Sequence, residues 1–184
     1  MHKVKLEFYI SPKGRVMVTD GNTLATREYT EDEKRLTEKM LDLIKVQYPC
    51  AYNALSSEYE KAKLNRIHYD YLRVHRFIRC NLGKFDGLKW DIEDNVLHLE
   101  DTVCPLKWGN DCKMKGIICN PTPFGLTQRE TEVAKLSSFG RTYEEISEEL
   151  GITHSTIKNT LQKIKEKLHL DSSKEITKLF ISTL

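Results

Sequence analysis

The amino-acid sequence predicts a mainly α protein in two parts, an N-terminal α+β part over residues 1–120 and a C-terminal four-helix domain over residues 121–184. Three observations carry this reading. Apolar residues alternate near the N-terminus, which marks a short β-hairpin. Apolar stripes at helical spacing, opened by capping signatures, run from about Thr30 to Gly83 and again from Leu126. Between them lies a glycine- and proline-punctuated stretch that carries four of the five cysteines, from Cys80 to Cys119.

Bulk properties bound the answer. The chain has 184 residues, 39% apolar and 30% charged, a globular composition with room for one ordinary domain or two small ones. No apolar run approaches the roughly 18 residues of a membrane span. The first ten residues alternate lysine with apolar residues and lack the apolar core of a secretory signal. The expectation is a cytoplasmic protein with no membrane partner. Net charge is +2, so any nucleic-acid binding must rest on where charge sits.

Val4, Leu6, Phe8 and Ile10 form the first strand pattern, Ser11-Pro12-Lys13-Gly14 reads as a turn, and Val16 and Val18 carry a second strand that ends at Asp20-Gly21-Asn22. Thr30-Glu31-Asp32-Glu33 then reads as a capping box for a helix bearing Leu36, Met40, Leu43 and Ile44, bounded by Pro49. Ser57-Glu58-Tyr59-Glu60 reads as a second box. It would open a long helix with Leu64, Ile67, Tyr71, Val74 and Ile78 on one face, stopped at Gly83. Lys61, Lys63, Arg66, Arg73, Arg76 and Arg79 share that predicted helix, opposed only by Asp70. Such a face is a solvated surface, a nucleic-acid surface or a basic shell around thiolates.

Residues 84–123 show one strand-like run, Val96 to Leu99, and a compact domain would need something to staple such a stretch. Cys80, Cys104, Cys112 and Cys119 are separated by 23, 7 and 6 residues. Four thiolates suit zinc or an iron–sulfur cluster, and metal binding contributes directly to folding free energy. The spacing lacks a Cys-x-x-Cys knuckle, whereas Cys104-Pro105 fits an iron–sulfur arrangement. His98 is a spare ligand candidate. The alternative is no cofactor and four buried, inert thiols. Cys50 reads as a core residue.

The C-terminal punctuation is clean. Thr127 to Glu130 and Thr142 to Glu145 are capping boxes, Gly140 and Gly151 end helices, and Thr153 can cap the next one. That helix carries Ile157, Leu161, Ile164 and Leu168 on one side. Ser172 to Glu175 then caps a last helix with Ile176, Leu179 and Phe180. A short helix, a glycine turn and a second amphipathic helix form a helix-turn-helix pattern. Charge is split within this domain: residues 127–150 hold three basic and six acidic residues, and residues 151–184 hold six lysines and three acidic residues. The positive half contains the second helix of the motif, as phosphate binding requires.

The ordered run Leu126-Thr127-Gln128-Arg129-Glu130-Thr131-Glu132-Val133, Tyr143-Glu144-Glu145-Ile146, Leu150-Gly151-Ile152, Ser155-Thr156-Ile157-Lys158, Ile164 and Lys167-Leu168 resembles the LuxR (GerE-type) helix-turn-helix family of bacterial regulators. The resemblance spans about residues 124–184. Region 4 of sigma factors is similar over Tyr143 to Leu168, but a fourth helix after Leu170 fits the LuxR family better. Thr160 and Ser147 depart from the family's usual histidine and alanine, which leaves the DNA preference open. The resemblance implies a transcription regulator whose helix 153–169 enters the major groove of double-stranded DNA. Lys158, Asn159 and Gln162 match the base-reading positions, and their chemistry suits guanine and adenine edges. Ser155, Thr156, Lys163 and, more weakly, Lys165 are candidates for phosphate contacts. In many members the last helix pairs two copies. Leu179, Phe180 and Leu184 could make that homodimer contact, although the first two suit an internal core equally.

The alternative is an interaction module that docks RNA polymerase without its own DNA site. An enzyme is not expected, because the chain has no Walker loop, nucleophile elbow or hydrolase histidine pair.

Overall fold

The computed structural model describes residues 4–84, 89–102, 104–108 and 112–183. The chain divides into two units, Met1–Pro121 and Thr122–Leu184, each with its own apolar core. Nearly all of the described chain outside the N-terminal sheet and the stretch after Gly83 is helical, which gives the mainly α class.

The hairpin forms as its alternation dictates. β1 (Lys5–Ile10) pairs antiparallel with β2 (Val16–Asp20), with Phe8 opposite Val18 and both side chains fully buried. Gly14 closes the turn with a φ of +76° and donates its amide to the Ser11 carbonyl at 2.8 Å. Asp20-Gly21-Asn22 turns the chain rather than ending the sheet. The Asp20 carboxylate accepts the Asn22 and Thr23 amides at 2.8 and 3.1 Å, and β3 (Thr26–Glu28) returns along β2. Glycine is required at position 21, because a Cβ there would lie 2.7 Å from the Lys5 Cβ and 2.9 Å from the Trp90 ring.

Two helix starts differ from the sequence reading. α1 (Lys34–Gln47) begins after Glu33, with no side-chain cap, because the Glu33 carboxylate pairs with Arg27 instead of reaching back to Thr30. Pro49, with its preset φ, opens α2 (Pro49–Glu58) at the first position. Ser57 and Glu58 are therefore the last turn of α2 and not a cap. A 3₁₀ turn at Glu60–Ala62 follows, and Asn65 caps α3 (Arg66–Asn81) by accepting the His68 amide at 3.3 Å. Leu64 is consequently fully exposed and Ile67 half-exposed, and the buried stripe runs through Tyr69, Val74, Phe77 and Ile78.

The basic residues expected on one helix face are divided among several roles. Lys61 and Lys63 precede α3, and Arg66 pairs with Asp70 at 2.6 Å. Arg73 is buried between the rings of Tyr69 and Tyr52 and also pairs with Asp70. Arg79 donates to the Gly14 carbonyl at 2.8 Å.

β4 (Ile92–Glu93) and β5 (Val96–Leu97) complete an antiparallel sheet of order β3-β2-β1-β4-β5. Asp94 and Asn95 both hold positive φ, the two-residue hairpin geometry that matches strand twist. The buried Gln47 clasps this hairpin from α1: its side chain donates to the Asn95 carbonyl at 2.8 Å and accepts the Leu97 amide at 3.0 Å. Met40 and Ile44 of α1 and Val74, Phe77 and Ile78 of α3 cover Phe8, Val18, Ile92 and Leu97.

The chain after β5 is fastened to the end of α3. Asn81 is fully buried and donates to the Phe77 and Ile118 carbonyls at 3.0 and 2.8 Å, and its side-chain oxygen accepts the Asn120 amide at 2.9 Å. The Asn81 carbonyl accepts the Glu100 amide at 2.8 Å, and Thr102 donates its hydroxyl to the Cys80 carbonyl at 2.7 Å. A short helix, α4 (Pro105–Trp108), follows Cys104.

In the second unit, α5 (Gln128–Ser138), α6 (Tyr143–Leu150), α7 (His154–Leu168) and α8 (Ser173–Thr183) surround Val133, Ile146, Ile157, Leu161, Ile164 and Phe180. Both capping boxes and the Thr153 cap form as the sequence predicts. At α8 the Glu175 carboxylate accepts the Ser172 hydroxyl at 2.9 Å and the Asp171 amide at 3.3 Å. Among the described residues, no helix is long and apolar enough to cross a membrane.

Candidate functional site

Two places deserve chemical scrutiny, one in each unit. In the first unit, Cys80, Cys104, Cys112 and Cys119 all line one cleft of about 600 Å³. Cys80 arrives on the last turn of α3. Thr102 and Asn120, hydrogen-bonded to Cys80 and Asn81, hold the segments that carry Cys104 and Cys119. Cys112 and Cys119 end one tight turn, in which the Cys112 carbonyl accepts the Lys115 amide at 3.1 Å and the Cys119 carbonyl accepts the Gly116 amide at 2.8 Å. Arg76, Arg79, Lys84 and Lys115 line the same cleft, and no carboxylate is among its described lining residues. Burial pushes the Cys80 thiol up to about 11. Arg76 partly counteracts this, and the other three thiols add to the rise.

Among the described residues no cysteine forms a disulfide. Nor is any group of three or more His, Cys, Asp and Glu side chains there arranged to hold a metal ion. The metal-binding reading of the four cysteines, zinc or cluster, is therefore not shown by this arrangement: they line one cleft without converging on a single ion. His98 is not among the described lining residues, and Cys50 is exposed on α2 rather than in the core.

In the second unit the turn between α6 and α7 is fixed at both ends. Gly151 holds a φ of +62° and donates its amide to the Ser147 carbonyl, and the Ile152 amide donates to that carbonyl at 3.2 Å. The Ser147 hydroxyl then donates to the Ile152 carbonyl. This serine, where the family usually has alanine, adds a second strut across the turn. Thr153 caps α7 by accepting the Thr156 amide at 3.2 Å.

α7 buries Ile157, Leu161 and Ile164 and presents Ser155, Thr156, Lys158, Asn159, Gln162 and Lys163 to solvent. Lys158, Asn159 and Gln162 sit one helical turn deep on the same side. Gln162 donates to Glu166 at 2.9 Å, so its amide is held along the helix. Lys165 is half-buried. His154, passed over in the sequence reading although it directly follows the cap, is exposed at the first position of α7. The Thr160 hydroxyl donates to the Thr156 carbonyl at 2.8 Å.

Residues 125–180 match the family model for bacterial regulatory proteins of the luxR family, GerE. The C-terminal unit is a LuxR-type helix-turn-helix domain. At the level of the family this is the DNA-binding domain of a transcription regulator. No curated protein and no solved structure matches the chain.

Within the LuxR-type domain, one link was invisible in the sequence. Lys167, in the last turn of α7, donates to the Glu130 carboxylate of α5 at 2.8 Å, and the same oxygen accepts the Thr127 amide at 2.8 Å. Burial alone would raise the Glu130 pKa. The bonds from Lys167 and Thr127 outweigh it, and the carboxyl lies below its ordinary range. These partners are 37 residues apart, and no local pattern signals them. Phe180 is fully buried, edge-on to Phe124 with ring centroids 5.9 Å apart, so it serves the LuxR-type core and cannot pair copies. Leu179 is half-buried, Ile181 is exposed and Leu184 lies outside the described residues.

Proposed function

We propose that the protein is a sequence-specific transcription regulator that reads the major groove with α7. The observation that carries this is the exposure of Lys158, Asn159 and Gln162 together on one side of a helix whose opposite side is sealed in the core. A groove about 12 Å wide admits one helix, and these side chains can donate to and accept from guanine and adenine edges. Ser155, Thr156 and Lys163 serve the phosphates and set register, with Lys165 a lesser contributor.

Two copies pair through α8, where Ile181 is exposed, and bind a two-fold symmetric site. RNA polymerase is the protein partner proposed for such a regulator. The N-terminal unit serves as its sensory or scaffolding part, and no enzyme activity is proposed.

The test compares the full chain with two variants on DNA selected from a random pool. Lys158→Ala with Gln162→Ala should weaken specific binding by about 2–4 kcal/mol and leave non-specific binding nearly unchanged. Lys163→Ala should weaken both alike and lower the salt slope by about 1. Unchanged selectivity in the double variant would remove α7 as the reading element.

A further inference from the structure

We infer that the four-cysteine cleft of the N-terminal unit holds an iron–sulfur cluster, ligated by Cys80, Cys104, Cys112 and Cys119. This does not rest on the DNA-binding reading.

Four sulfur-bearing residues from three separate stretches of chain meet at one cleft, and the meeting is built rather than incidental. Asn81 and the Cys80 carbonyl tie residues 100, 102, 118 and 120 to the last turn of α3. The Cys112–Cys119 turn closes on itself. The segments that carry the cysteines are thus held by the Asn81 side chain, the Thr102 hydroxyl and the bonds within the Cys112–Cys119 turn, without help from a disulfide.

Size separates the possible occupants. A single water or ion needs a cavity of about 10–15 Å³, and a four-cysteine zinc site puts every sulfur about 2.3 Å from one point. This cleft is about 600 Å³, and no three of its described thiols converge on one ion. A polynuclear cluster has the size to bridge ligands spread around such a space.

Charge points the same way. Each thiol releases its proton as its sulfur bonds iron, so the thiolates and the bridging sulfides make an anionic group. Arg76, Arg79, Lys84 and Lys115 form a cationic lining that suits one. Cys104-Pro105 also repeats the cysteine–proline step of bacterial cluster-binding runs. Iron and inorganic sulfide come from the assembly chemistry, and the protein supplies only the thiolates.

The full chain is purified without oxygen, or treated with ferrous iron and sulfide, and its iron, acid-labile sulfide, zinc and visible spectrum are measured. A brown protein with equal iron and sulfide, about two or about four of each per chain, is the expected result. Cys80→Ser and Cys112→Ser should abolish the colour, and Cys50→Ser should keep it in full. Arg76→Gln leaves all four ligands and should lose its iron to a chelator several-fold faster. A folded, colourless, metal-free protein overturns the inference. So does stoichiometric zinc without sulfide, and so does colour that survives loss of Cys80 and Cys119 together. If the serine variants do not fold, the iron and sulfide content of the unaltered chain still decides between these outcomes.

Discussion

At the scale of single residues, Asn81 does the most with the least. It is a buried amide with both ends satisfied, and its partners lie as far as 39 residues away. Asn81→Ala would take the side-chain partner from the Ile118 carbonyl and the Asn120 amide in a dry site. The expected cost is about 3 kcal/mol, read as a lower urea midpoint with an unchanged slope. Nothing in the sequence marks Asn81, because an asparagine near a helix end is ordinarily read as a terminator. Ser147 is the opposite case. It is visible as a departure from the family pattern, yet only the folded turn shows its hydroxyl on the Ile152 carbonyl.

Elements were legible where local chemistry decides them. The three caps of α5, α6 and α7, the Gly151 turn and the β1–β2 hairpin follow from residues within four positions of one another. The misplaced starts of α1 and α3 fail for different reasons: Glu33 pairs with Arg27, six residues back, and Ser57 and Glu58 lie in the last turn of the preceding helix. The β4–β5 hairpin had a signal, Asp94-Asn95 between apolar residues, but its strands are too short for periodicity to register. The four cysteines were legible as a set, and the long-range hydrogen bonds of Asn81 and Thr102 that bring them to one cleft were not. The pairing of α5 with α7 gives an element-scale expectation. The folded Glu130 carboxyl titrates below its ordinary value, so its stabilising contribution is present above that value and is lost as pH falls through the folded pKa. Glu130→Gln keeps a capping side chain and removes the charge. Thermal melts should show it less stable than the unaltered protein at pH 7, with the gap closing toward pH 3.

At the scale of the whole molecule, two separate cores imply two cooperative events. Calorimetry on the full chain should resolve two transitions. Asn81→Ala should lower one and Glu130→Gln the other, and a single transition moved by both would show the units to be energetically fused. The site reading divides along the same line. The proposed recognition residues belong to a self-contained helical unit, and the thiols belong to a unit whose last third has little regular structure among its described residues.

The strand order also sets a timetable for synthesis. β1 is central, but its second neighbour, β4, lies more than 80 residues downstream, and the Asp91 carboxylate that accepts the Phe8 amide emerges just before it. During translation one edge of β1 waits bare while three helices are made, an open template for wrong partners. The LuxR-type unit closes within residues 122–184, so its first helix waits for a shorter stretch of chain. Cells that make this protein quickly should therefore lose it through its first hundred residues, before its LuxR-type end is at risk.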